Sequence, residues 1–240
     1  MNKIKIKICG IKETAAIDCC IENNVEYFGL VFFEKSVRNI NLELALKLIN
    51  YVNFNEITPV GVFVNKPIND LRDIIKKTHL NHIQLHGNEN NDYISILKKE
   101  FNLKVLKSVG IKQKTDLKKI DKLSNADYFL FDYKPEISDL PGGNAKKFDW
   151  SLLHGIKINK PWFLSGGVNI NNIRKIHKNL IPYGIDISSG VEEKPGIKNI
   201  NKINKNLFPY GIDISSGVEE KPGIKNLQKI DNLMKTLNAQ

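Results

Sequence analysis

The chain has 240 residues, 41% hydrophobic and 26% charged, with a formal net charge of +10 at pH 7. That describes a soluble globular chain long enough for a sizeable core, and it excludes a disordered chain or a miniprotein that needs staples. The opening MNKIKIKICG lacks the apolar run of a signal peptide, and no window nears the roughly 18 uninterrupted apolar residues of a membrane helix, so secreted and membrane classes are excluded as well. Three cysteines, two of them adjacent (Cys19, Cys20), cannot form a disulfide framework and point to a reducing, cytoplasmic setting. The lysines are spread along the chain among asparagine and isoleucine, with no arginine-rich tail and no zinc-finger spacing. Most of this charge reads as solvated surface with a mild attraction for an anionic substrate, and not as a nucleic-acid footprint.

Short apolar, β-rich runs alternate with amphipathic stretches. Strands are expected at Lys3–Cys9, Tyr27–Phe33, Thr58–Val64, Asn81–Leu85, Lys104–Val109, Tyr128–Asp132, Trp162–Ser165 and Gly184–Ile187. Helical periodicity lies between them, over Thr14–Glu22, Leu42–Tyr51, Ile68–Lys77, Asp92–Phe101, Thr115–Leu123 and Asn169–Leu180. Parallel neighbours require crossover connections, so this alternation suits a parallel sheet. Eight β/α units packed into so short a chain favour a closed (β/α)8 TIM barrel, an α/β fold, over an open doubly wound sheet. No Pro/Ser-rich linker divides the chain, and residues 1–240 are expected as a single domain. Glycines follow the strands at Gly10, Gly87, Gly142–Gly143, Gly166–Gly167 and Gly190, on the rim where barrel enzymes keep their active sites.

The chain also repeats itself. Leu180–Ile200 and Leu207–Leu227 match at an offset of 27 except at Ile181/Phe208 and Ile200/Leu227. Two near-identical copies at one end suggest a local duplication of a β8/α unit near the C-terminus, whereas a solenoid would show at least three divergent copies. Removing one 27-residue copy leaves 213 residues. A closed barrel has room for one copy only. If the first is used, the strand is Gly184–Ile187, with Ile200, Ile203 and Leu207 covering it. If the second is used, strand Gly211–Ile214 leads into helix Leu227–Leu237 and a whole unit must bulge from the wall. A terminal appendage disturbs less packing, so the first copy is the expected one.

Several residues could carry chemistry. Cys9 ends the first strand and would point into the barrel mouth, either as a thiolate base or as a small buried strand residue. Asp132 ends the apolar run FLFDY, a position that packing explains poorly and a general acid explains well; the plainer reading is a loop cap. SGGVNI, with Gly166 and Gly167, and DISSGVE, with Asp186, Ser188, Ser189 and Gly190, follow the seventh and eighth strands, where barrels often cradle phosphate on backbone N–H groups. Arg38 follows the second strand and could hold a carboxylate bidentately. Gln84 and His86 end the fourth strand in IQLHG. The histidines and cysteines show no metal-ligand spacing, so no metal is expected.

Taken in order, KICGIK, FFEKSVRNI, GVFVN, IQLHG, FLFDY, LPGGNAKKFDW, LSGGVN and DISSGVEEKPGIK resemble the phosphoribosylanthranilate isomerase family over essentially the whole chain apart from the duplicated unit. The resemblance implies a barrel enzyme of tryptophan biosynthesis, an aldose–ketose isomerase without cofactor that takes a small phosphorylated substrate. Neither nucleic acid nor membrane is expected as a partner, and the chain should be a monomer or homodimer. The resemblance further implies Asp132 as general acid, Cys9 as general base, Arg38 on the anthranilate carboxylate, and Gly167, Ser188, Ser189 and Gly190 on the phosphate. Gln84, His86, Gly166 and Asp186 complete the expected substrate-binding set. Family members carry proline where Glu34 and Val37 stand, and Gly-Gly-Thr/Ser-Gly where Gly142–Ala145 stand. The alternatives are another phosphosugar barrel isomerase or synthase, or a non-catalytic basic binding protein on a degenerate barrel.

Overall fold

The computed structural model describes residues 4–134, 147–169, 172, 176, 180, 182–206, 219–221 and 224–225. Eight parallel strands close a barrel in chain order: β1 (Lys5–Cys9), β2 (Tyr27–Val31), β3 (Thr58–Phe63), β4 (His82–Leu85), β5 (Lys104–Ile111), β6 (Tyr128–Tyr133), β7 (Trp162–Leu164) and β8 (Gly184–Ile187). The first copy of the repeat supplies β8. Its Gly184 and Asp186 register with Lys5 and Lys7 of β1, and its Gly184 and Ile185 register with Phe163 and Leu164 of β7. Helices α1 (Thr14–Glu22), α2 (Leu42–Tyr51), α3 (Ile68–Thr78) and α4 (Asn91–Glu100) cross over between the early strands. Asn41 caps α2 by accepting from Leu44 N–H, and Asn90 caps α4 by accepting from Tyr93 N–H, each at 2.9 Å.

One connection differs from expectation. The stretch expected as an α-helix over Thr115–Leu123 is a 3-10 helix over Lys114–Lys122. Its apolar residues Leu117, Ile120 and Leu123 are spaced by three, so a helix of three residues per turn turns all of them toward the core. Asp116 tightens its start by accepting from the N–H groups of Lys112 and Gln113 at 3.0 and 3.1 Å. The expected helix Asn169–Leu180 is described only in part. The loop Gly142–Ala145, the second-copy strand Gly211–Ile214 and the terminal helix Leu227–Leu237 lie outside the described residues.

Strand alternation sorts side chains into two environments. Ile6 and Ile8 of β1 point outward into the main core between barrel and helices, while Lys7 and Cys9 point inward. The inside is layered. Leu106, Leu130 and Phe163 fill the N-terminal end together with Tyr27, Tyr128 and Tyr183; Cys9, Val31 and Val62 cluster with Phe33 at the C-terminal end. After β8 come a 3-10 turn (Ser189–Val191), a hairpin of β9 (Glu192–Lys194) and β10 (Ile197–Lys198), and α5 (Ile200–Asn206), which packs on α1 and buries Ile203.

By its contacts the chain divides into two compact units, Ile4–Leu207, which holds the barrel, and Met1–Lys3 with Phe208–Gln240. In the second unit β11 (Glu219–Lys221) pairs antiparallel with β12 (Ile224–Lys225), the same residues of the repeat that form β9 and β10 in the first. No described helix is long and apolar enough to cross a membrane.

Candidate active site

A cavity opens at the C-terminal end of the strands. Cys9, Arg38, Gln84, His86, Asp132, Asp186 and Ser188 all line it, so seven side chains singled out in the sequence meet in one place. Val31, Phe33, Val62 and Val64 form its apolar wall, a surface suited to a planar aromatic group.

Cys9 closes β1 and is only 7% exposed. Its backbone carbonyl accepts from Ser188 Oγ at 3.3 Å, which ties the end of β1 to the loop after β8. Burial pushes its thiol above the ordinary value. Lys7 opposes that shift, Asp186 adds to it, and Lys198 and Arg38 oppose it more weakly. Lys7 is itself almost wholly enclosed, with Nζ 3.0 Å from Asp186 Oδ1. Burial alone would lower the Lys7 ammonium, yet Asp186 and Cys9 outweigh it and raise the titration above the usual range.

Across the mouth, Asp132 is the penultimate residue of β6, with Oδ1 accepting from Tyr133 N–H at 2.7 Å. Its Oδ2 lies 3.3 Å from His86 Nε2, and Gln84 Nε2 lies 2.7 Å from His86 Nδ1. With Gln84 donating, Nδ1 is the acceptor nitrogen and Nε2 carries the hydrogen that faces Asp132. Gln84 on β4 and His86, the residue just after that strand, therefore form a bracket behind the carboxylate. Beneath them Lys107 donates to the carbonyls of Leu85 and Gly87, at 3.1 and 2.7 Å, and to Glu89 at 3.1 Å, which holds the turn after His86.

Arg38 is brought to the mouth by the loop after β2 and is 8% exposed. It does hold a carboxylate in bidentate fashion, and that carboxylate is the protein's own. Arg38 Nε and Nη2 each lie 2.7 Å from the two oxygens of Glu192, leaving Nη1 and the second Nη2 hydrogen uncommitted to Glu192. Lys198 Nζ adds a contact to Glu192 Oε1 at 2.8 Å and donates to the Ser188 carbonyl at 3.0 Å. Burial would raise the Glu192 carboxyl, but Arg38 and Lys198 hold it below its usual range; the buried Lys198 ammonium is itself lowered by desolvation despite Glu192. The sequence reading missed Lys7, Glu192 and Lys198. The available signals were slight: the alternation that puts Lys7 on the face of Cys9, and the position of Glu192 and Lys198 inside the repeated motif.

The two glycine loops meet. Gly166 and Gly167 follow β7 with φ of +76° and +73°, a left-handed turn that a Cβ would strain. A Cβ on Gly190 would lie 2.1 Å from the Val168 carbonyl oxygen, so only glycine lets the loop after β8 pack on the loop after β7. Ser189 begins the short 3-10 turn between them. Among the described residues no group of three His, Cys, Asp or Glu converges as a metal site.

Comparison with known proteins identifies the family. Residues 6–208 match the family model described as N-(5′-phosphoribosyl)anthranilate (PRA) isomerase. A Rhizobium rhizogenes protein named N-(5′-phosphoribosyl)anthranilate isomerase is 41% identical over 194 residues, covering 80% of this chain and 87% of its own. The crystal structure of phosphoribosyl anthranilate isomerase from Thermotoga maritima superposes with a TM-score of 0.77 at 30% identity, covering 85% of this chain and 97% of its own. A phosphoribosyl anthranilate isomerase in complex with reduced 1-(o-carboxyphenylamino)-1-deoxyribulose 5-phosphate matches with a TM-score of 0.73 at 28% identity, over 85% and 97% of the two chains. With a closed eight-stranded barrel, a family match over residues 6–208 and a relative 41% identical over 194 residues, this chain belongs to the N-(5′-phosphoribosyl)anthranilate isomerase family.

Proposed function

We propose that the chain converts N-(5′-phosphoribosyl)anthranilate to 1-(2-carboxyphenylamino)-1-deoxyribulose 5-phosphate, a step of tryptophan biosynthesis, with Asp132 as general acid and Cys9 as general base. Asp132, as general acid, delivers a proton to the ring oxygen as the C1′–O bond breaks and the anilinic nitrogen forms C1′=N. The Cys9 thiolate then removes the C2′ proton, and the electron pair moves through C1′ to neutralise nitrogen. The enolamine tautomerises to the ketone, so C2′ ends oxidised and C1′ reduced. This redox is internal, which is why the reaction needs no cofactor.

Recognition follows from charge. The uncommitted N–H groups of Arg38 meet the anthranilate carboxylate, and the aromatic ring lies along Val31, Phe33, Val62 and Val64. The phosphate is held by the backbone of Gly166, Gly167, Ser188, Ser189 and Gly190; Asp186, Gln84 and His86 line the ribose between the two ends. On this reading the 27-residue second copy is redundant to the barrel. The protein acts in the cytoplasm, where its free cysteines stay reduced, as a monomer or homodimer, with no nucleic-acid or membrane partner.

The observation that supports this most is the opening of Cys9 and Asp132, from β1 and β6, onto one cavity that also contains a buried arginine. The test follows the loss of substrate fluorescence in the full chain. Cys9→Ser and Asp132→Asn are each expected to lower kcat by roughly 10²–10⁴-fold while the fold is kept. Near wild-type turnover in both variants would overturn the assignment.

A further inference from the structure

We infer that Glu192 and Lys198 are positioning residues that join the two anion-binding ends of the site. Glu192 locks the Arg38 guanidinium for the substrate carboxylate, and Lys198 fastens that lock to the phosphate loop at Ser188. The inference rests on the reading of Arg38 and Ser188 given above.

Its geometry is specific. Glu192 accepts both contacts from Arg38 at 2.7 Å and a third from Lys198 at 2.8 Å, and all three side chains are buried. Arginine loses less rotamer freedom when its planar fork is already engaged. The guanidinium is therefore presented in one orientation before substrate arrives, and association avoids the ordering cost of a free arginine. Lys198 meanwhile donates 3.0 Å to the Ser188 carbonyl, at the residue whose Oγ donates to the carbonyl of Cys9. One short segment, β9 to β10, thus touches the carboxylate clamp and the phosphate loop. Neither Glu192 nor Lys198 lines the cavity, so their action on substrate passes through Arg38 and Ser188.

The charge count supports the arrangement. Two cations surround one carboxylate, leaving a net positive charge behind the mouth that faces an anionic substrate.

Steady-state kinetics on the full chain tests this, with melting curves to show that each variant is folded. Glu192→Gln keeps the volume and removes the charge; it is expected to raise KM by roughly 10-fold, as loss of a charge-assisted contact does, and to leave kcat within a few-fold. Arg38→Met should raise KM more. Adding Glu192→Gln to Arg38→Met should then change KM by less than about 2-fold, because the glutamate acts through the arginine. Inorganic phosphate serves as a competitive probe of the other end. Its inhibition constant should rise in Lys198→Met, recover in Lys198→Arg and stay unchanged in Arg38→Met. If Glu192→Gln does not fold, Glu192→Asp, which withdraws the carboxylate by one methylene, takes its place with the same expectation.

Additive effects of Glu192 and Arg38, or an unchanged KM in folded Glu192→Gln while Arg38→Met is impaired, would overturn the inference and leave the function standing. An unchanged phosphate inhibition constant in Lys198→Met would also overturn it. An unchanged KM in Arg38→Met would sink the carboxylate reading, and the inference with it.

Discussion

Lys7 Nζ lies 3.0 Å from Asp186 Oδ1 in the middle of the barrel, joining the first strand to the eighth across a separation of 179 residues. Both groups are nearly sealed from water, at 1% and 6% exposure. Removing one member of such a pair leaves an uncompensated buried charge, which costs about 3–5 kcal/mol. Lys7→Met is therefore expected to lower the unfolding free energy by that order in urea titration, and Lys7→Met with Asp186→Leu should recover most of the loss. The sign with pH is also determined. The folded Lys7 ammonium titrates above its unfolded counterpart, so the pair's contribution is fully present below about pH 10 and is lost only as pH rises through the folded value.

The Cys9 thiol is pushed above its ordinary value of about 8.5, chiefly by burial, so the thiolate is a minority form at neutral pH. Because the base acts as thiolate, kcat/KM should keep rising with pH to beyond about 8.5. Lys7→Met removes the strongest opposing cation and should move that limb to still higher pH. Cys9→Asp, with a carboxylate in the same place, should move it to acid pH. A pH–rate profile with no alkaline limb in the wild type would count against the thiolate.

The two copies of the repeat offer a clean comparison. Ser188 lines the cavity of the barrel closed by the first copy, and Ser215 is its counterpart at the offset of 27. Ser188→Glu would set a carboxylate against the substrate phosphate, and like-charge juxtaposition costs several kcal/mol, or roughly 10²-fold or more in KM. Ser215→Glu should leave KM within about 2-fold of wild type, since the first copy supplies β8 and substitutions away from such a site are usually worth under about 0.5 kcal/mol. Impairment confined to Ser215→Glu would mean that the second copy forms the working loop.

Gly190 is a packing constraint on the phosphate loop. With a Cβ 2.1 Å from the Val168 carbonyl oxygen, Gly190→Ala must separate the loops after β7 and β8. Overpacking of this kind costs roughly 1–3 kcal/mol, and a lowered melting temperature with raised KM for substrate and a raised inhibition constant for phosphate would register it.

Most of the architecture was legible along the chain because its signals are local. Strand runs such as YFGLV and TPVGVF and the amphipathic stretches between them carry their own periodicity, and glycine marks the turns after β1, β4, β7 and β8. The bounds at Gly184–Ile187, Thr14–Glu22 and Leu42–Tyr51 coincide with those observed, and the other expected elements that lie within the described residues fall within two residues of theirs. The 3-10 segment was missed because Leu117, Ile120 and Leu123 fit an amphipathic α-helix nearly as well as a tighter turn. Candidate groups such as Cys9 and Asp132 stood out because a reactive side chain at the end of an apolar strand has few structural uses.

What the sequence by itself determined was therefore the series of elements, the rim on which the reactive groups sit, and the family. Which groups face one another was decided only by closure of the barrel. Closure put Glu192 on the fork of Arg38, Lys7 against Asp186, and His86 behind Asp132. Those pairs join residues 154, 179 and 46 positions apart, and no local pattern encodes such separations. Closure also chose one of two identical sequence stretches as the eighth strand. Local propensity cannot separate Gly184–Ile187 from its copy, because the residues are the same; the pairing of the first copy with β1 and β7 is a property of the closed sheet.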